Sequence, residues 1–211
     1  MTQYPDIPKS LGIEAVRQER LSLIEQRHML VLTNFVRGLR NEFGLTTEIP
    51  FFDPLDGGID ARCLCLYEAP GAKAVESGFI SRNNPDETAK NSFSLYQEAG
   101  ISRTDTILWN IVPWYIGTGE HIRPANGSDI RQGMPYLARL ISMLPRLTVI
   151  LLVGKKAQKA NSHIVELRPD LPLFHCFHPS PLFVNNREGN KGIILEVLKQ
   201  VAAVLNRNMK K

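Results

Sequence analysis

Four segments place chemistry-bearing side chains directly after an apolar run. Tyr67-Glu68-Ala69-Pro70-Gly71 offers a carboxylate and a rigid Pro-Gly turn. Asn110 offers an amide, with Pro113, Trp114 and Tyr115 just beyond it. Gly154-Lys155-Lys156 offers two ammonium groups. His178-Pro179-Ser180-Pro181, continued by Leu182 and Phe183, offers an imidazole held between an apolar run and a proline. Carboxylates and imidazoles are the ordinary tools of proton transfer. A side-chain amide both donates and accepts hydrogen bonds, and lysines suit phosphates.

Other chemistries fit the spacing poorly. His121, His163 and His175 stand at no metal-ligand spacing from any acid or cysteine, and no metal is expected. His28 falls on the apolar face of a helix and reads as structural. The three cysteines, Cys63, Cys65 and Cys176, lie in apolar runs with no Cys-x-x-Cys pair. They read as reduced core thiols of a cytoplasmic protein. Gly117-Thr118-Gly119 is a lone, weak glycine motif. Asn126-Gly127-Ser128 matches a glycosylation acceptor only by chance if, as the N-terminus suggests, there is no secretory signal.

The elements that must position these residues follow from periodicity. Residues 11–40 read as one helix, with Leu21, Ile24, His28, Val31, Leu32 and Phe35 at three- and four-residue steps. Apolar runs at 62–67, 106–112, 147–153 and 171–177 read as buried strands. Helices are expected at 87–99, 128–143, from 154 to about 162, and at 188–205. Residues 72–86 and 113–127 read as loops. Strands alternating with helices imply right-handed crossovers and a parallel sheet covered on both faces. The expected fold is therefore α/β: three layers around a central, mainly parallel four-stranded sheet, plus an N-terminal helix. The whole chain, 1–211, reads as a single domain, with 1–60 a helical extension and 60–205 the core. In such sheets ligands bind outside the carboxyl ends of the strands, which is where the four segments lie.

Of the 211 residues, 43% are hydrophobic and 22% charged, which argues against disorder. No apolar run approaches the roughly 20 residues of a membrane span. The net charge of +4 is unevenly placed: residues 146–211 hold eleven basic and four acidic groups. A basic face of this kind suits a phosphate backbone. The competing reading is a solvated helix face with a basic tail at Lys210 and Lys211.

Taken together, the segments resemble the uracil-DNA glycosylase superfamily. Tyr67-Glu68-Ala69-Pro70-Gly71 is similar to its first motif and His178 to Leu182 to its second. Asn110 matches an Asn at a strand end, Phe93 in Asn91-Ser92-Phe93-Ser94 matches an aromatic near a helix start, and 149–160 looks like the family's third strand and helix. The resemblance covers about residues 60–205.

It implies a monomeric enzyme that removes uracil, or a related deaminated base, from DNA by water-mediated hydrolysis of the N-glycosidic bond, with no cofactor. Bond cleavage leaves a cation-like sugar and an anionic base. The implied catalytic residues are His178, donating to the developing charge on the base, Asn110, reading its edge, and Glu68, helping the water. Phe93 would stack on the base in a pocket bounded by Tyr67, Ala69, Pro70 and Gly71. Leu182 or Phe183 would wedge into the duplex. Ser180, Pro181, Lys155 and Lys156 would meet the DNA backbone.

This chain also departs from the family. Tyr67 replaces a usual Gly, and Ala69 stands where the most active branch has an Asp. Gly71 replaces the Tyr that excludes the thymine methyl, implying looser selectivity. Branches with Glu-Ala-Pro-Gly usually carry an iron–sulfur cluster on four cysteines, and three at other spacings imply none here. Two other readings stay open: a member that grips DNA without cleaving it, favoured by Tyr67 and Ala69, and a hydrolase of free nucleosides or nucleotides.

Overall fold

The computed structural model describes residues 3–44, 46–118 and 122–207. Gly119, His121, Lys210 and Lys211, considered above, lie outside the described residues. The strands are β1 (Phe51–Phe52), β2 (Cys63–Tyr67), β3 (Phe79–Ile80), β4 (Thr106–Asn110), β5 (Val149–Val153) and β6 (Leu173–Cys176). The helices are α1 (Glu14–Ser22), α2 (Leu30–Phe43), α3 (Ala72–Ser77), α4 (Glu87–Glu98), α5 (Gly127–Ser142), α6 (Gly154–Ala157), α7 (Asn161–Leu167), α8 (Pro181–Val184) and α9 (Asn190–Arg207).

The four apolar runs form one sheet in the order β4-β2-β5-β6, with every neighbour parallel. β2, β4 and β5 are buried almost throughout, as expected for strands covered on both faces. Register pairs Tyr67 with Asn110 and Val153 with Cys176, so the strands end together on one side. Cys63, Cys65 and Cys176 are buried. α9 packs on β5 and β6 and against α4. No helix among the described residues is long and apolar enough to cross a membrane.

The structure corrects several element boundaries. The helix expected from 154 to about 162 is α6, a 3-10 turn and α7, which ends at Leu167. The expected helix over 11–40 is two helices, because the chain turns at 23–29. There the carbonyl of His28 accepts from Ile59 N at 2.9 Å instead of from a helical N–H, and His28 Nε2 lies 3.0 Å from Pro54 O. The expected loop at 72–86 contains α3 and β3. β3 pairs parallel with β1 in a separate two-stranded sheet. α5 starts earlier than expected, because Asn126 caps it: its Oδ1 accepts from Ser128 N and Asp129 N, and Asp129 Oδ2 accepts from Asn126 N. α5 is also held tightly against the end of β4. A Cβ on Gly133 would lie 1.9 Å from the carbonyl oxygen of Ile111, so only glycine permits that approach.

Candidate active site

The ends of β2, β4 and β6 open on one cavity of about 930 Å³. Its wall includes Tyr67, Glu68, Ala69, Pro70 and Gly71 after β2, Asn110 at the end of β4, and His178, Ser180 and Leu182 after β6. Parallel strands bring together residues that lie more than a hundred positions apart in sequence.

Asn110 is 4% exposed, and its Nδ2 donates to nothing among the described residues. Leaving a buried donor unsatisfied costs roughly 1–3 kcal/mol. In a cavity wall, such a donor is available to whatever enters. His178 lines the same cavity, its ring perpendicular to that of Tyr67 at 6.0 Å. The loop can pack this closely because Gly154 has φ +86 and no side chain; a Cβ there would come within 3.2 Å of the His178 Cβ. Burial holds the imidazole below its ordinary pKa of 6.5, partly offset by the carboxylates of Glu68 and Asp86.

Tyr67 does not plug the cavity. Its phenol is turned to Ser92 Oγ at 3.3 Å and Tyr96 OH at 3.5 Å, forming wall while leaving the space open. Burial also raises its pKa, so the phenol stays neutral. Glu68 Oε1 accepts from Ala125 N at 2.6 Å, and Lys156 Nζ donates to Ala125 O at 2.5 Å. These two predicted site residues thus clamp one peptide residue where the loop enters α5. Ser180 caps α8, accepting from Phe183 N at 3.4 Å, and Pro181 occupies the first helical turn. Leu182 is 85% exposed at the cavity edge, whereas Phe183 stacks on Phe177 at 4.4 Å. Lys155 is exposed.

Phe93, expected to stack on the base, does not line the cavity. It lies on α4 next to Ser92, which does. Successive helical residues point about 100° apart, so only one of the two can face inward. Ile80 and Tyr67 supply the apolar and aromatic surface in its place.

Several wall residues escaped the sequence reading: Ser81, Arg82, Asn84, Asp86 and Thr88 from the stretch read as a polar loop and the helix start after it, and Arg123 from the later loop. Asp86 had a visible signal, an Asp directly before a helix. It caps α4, accepting from Ala89 N at 2.8 Å, and burial raises its pKa.

The segment carrying Ser81 and Arg82 is braced by a buried ion network. Asp53 pairs with Arg20 Nη1 and Arg103 Nη2, both at 2.6 Å, and accepts from Ser81. Those guanidinium groups outweigh burial and hold Asp53 at about 2. Asp56 lies 3.0 Å from Arg103 Nε and 3.7 Å from Arg82 Nη2, but makes no well-aligned hydrogen bond. Burial therefore dominates and pushes its carboxyl up to about 6. Among the described residues, no group of three or more His, Cys, Asp or Glu side chains is placed to hold a metal ion.

Comparison with known proteins bears on the family and the fold. A family model described as the Uracil DNA glycosylase superfamily matches residues 54–202. Among solved structures, the crystal structure of wild-type SMUG2 from Pedobacter heparinus superposes with a TM-score of 0.53, covering 86% of each chain at 11% identity. At that identity the likeness concerns the fold. No curated protein matches the chain. The family match spans well over half of the sequence and takes in β2, β4, β5 and β6 with all the strand-end segments. The chain belongs to the uracil DNA glycosylase superfamily.

Proposed function

We propose that the protein is a monofunctional DNA glycosylase that hydrolyses the N-glycosidic bond of uracil, or a related deaminated base, in DNA. The observation that carries this reading is the Asn110 amide, whose Nδ2 has no partner among the described residues, buried in the wall of a cavity that His178 also lines. An extruded pyrimidine presents a carbonyl and a ring N–H side by side, and one amide can serve both. His178, kept neutral by burial, donates to the carbonyl on which negative charge grows as the bond breaks. Tyr67 and Ile80 bound the base. Gly71 leaves room where a larger residue would exclude a methyl group.

The mouth of the cavity suits a bent duplex. Leu182, almost fully exposed, is placed to fill the gap left by the base. Phe183 is engaged by Phe177 and supports that loop. Lys155 and the basic C-terminal third face the phosphates. The enzyme acts as a cytoplasmic monomer, with DNA as its partner and without a cofactor. A second reading, a protein that grips bases without cleaving, is favoured by one observation: Glu68 is already committed to Ala125 N.

Oligonucleotides containing uracil, hypoxanthine or xanthine, incubated with the protein and then heated in alkali, separate the two. Strand scission is expected with the wild type and is expected to vanish with Asn110→Asp, which replaces the donor with a carboxylate. Intact strands with retained binding would select the second reading. Cleavage of free nucleosides with little salt dependence would reject DNA as the substrate, because phosphate contacts must weaken steeply as salt rises.

A further inference from the structure

We propose that Asp86 is a catalytic residue, the general base that takes a proton from the attacking water. The inference rests on the glycosylase reading and gives to Asp86 the role that the resemblance gives to Glu68. Glu68 is the acid of the first motif, but its Oε1 accepts from Ala125 N at 2.6 Å, and Lys156 binds the carbonyl of the same residue at 2.5 Å. That arrangement anchors the loop before α5. Among the described residues, the other carboxylate in the wall is Asp86.

Asp86 is fixed for such a task. The N–H groups of Ala89, at 2.8 Å, and Thr88 orient its carboxylate, and a carboxylate keeps lone pairs beyond those two bonds. It lies within electrostatic reach of His178. The two are locked together because Asn91, one turn along α4, donates to Pro179 O at 2.9 Å and ties the helix to the His178 loop. Burial makes the carboxylate more basic than an exposed aspartate, as a proton acceptor requires.

The step balances. A water oxygen bonds to the anomeric carbon and gives one proton to Asp86. The carbon–nitrogen bond breaks, and its electron pair leaves with the base as an anion held by His178 and Asn110. Asp86 then returns its proton to solvent.

The test is single-turnover base release from uracil-containing DNA by wild type, Asp86→Asn and Glu68→Gln, with DNA affinity and thermal stability measured alongside. Asn caps a helix as well as Asp does, so Asp86→Asn removes the charge and keeps α4 intact. Its expected rate is at least about 100-fold lower, with unchanged affinity and melting temperature. The rise of the wild-type rate with pH on the acid side is expected to be lost. Among the described residues, the charged groups that line the cavity with Asp86 are Glu68, Lys73, Arg82, Arg123 and His178, with Glu87 next to it on α4. Of these, only Glu68 is another carboxylate in the wall. An active wild type with Asp86→Asn within threefold of it, or an acid limb removed by Glu68→Gln instead, overturns the assignment and leaves the glycosylase reading standing. A wild type that releases no base overturns both.

Discussion

His178→Ala is expected to lower single-turnover base release by roughly 100- to 1,000-fold while DNA affinity changes little. Loss of one donor aimed at a developing oxyanion has that magnitude because the donor is already in place and the cavity limits competition from water. The imidazole is half-buried beside Tyr67 and Gly154, and no described residue bonds its ring nitrogens, so its N–H is free for substrate. Burial lowers its pKa, with Glu68 and Asp86 opposing. The unfolded value of 6.5 lies above the folded one, so the unfolded chain binds more protons between the two. The stability this group contributes is full above pH 6.5 and is lost as pH falls through the lower folded value. The rate should therefore be compared at about pH 7.5, above the ordinary imidazole range, where His178 is neutral in both states. A change below threefold there would remove His178 from the chemistry.

Asp53→Asn is expected to cost about 3–5 kcal/mol of folding stability, read as a shift in the denaturant midpoint at neutral pH. The carboxylate is fully buried between Arg20 and Arg103 and also accepts from Ser81 and Leu55 N. An amide there leaves two buried guanidinium groups short of charge. The pH dependence has a definite sign. Asp53 titrates at about 2 in the folded protein against an ordinary 3.8, so its contribution is present above 3.8 and lost as pH falls through about 2. The gap between wild type and variant should narrow over that range. Asp56, raised to about 6, runs the other way: its contribution is full below 3.8 and lost as pH rises through about 6. An unshifted midpoint for Asp53→Asn would show that the network does not hold the 81–84 wall. Activity should also fall in that variant, because Ser81 and Arg82 line the cavity.

The four main strands were legible in the sequence because a strand buried on both faces is a plain apolar run. The rule for strand ends then pointed to Glu68, Asn110 and His178, and all three line one cavity. What escaped had weaker local signals. β3 is two residues long and pairs with Phe51–Phe52, so no alternation announces it. The break between α1 and α2 is set by the use of the His28 carbonyl by Ile59, a contact across thirty residues of sequence. Phe93 has the type and the position near a helix start that the resemblance asks for, but helical phase turns Ser92 inward instead. Asp86 showed its capping role, whereas its place beside His178 depends on how α4 meets the loop after β6. Arg20, Asp53, Asp56 and Arg103 are spread over more than eighty positions, and nothing in their local sequence marks them as partners.

The most direct test of the central claim is a crystal structure of the protein with uracil-containing DNA, using a slowed variant such as Asp86→Asn. The base should lie in the cavity beside Tyr67 and Ile80, with Asn110 Nδ2 within hydrogen-bonding distance of a carbonyl and the His178 ring at another. Leu182 should occupy the vacated place in the duplex. A base left stacked in the helix, or bound away from Asn110, would contradict the account.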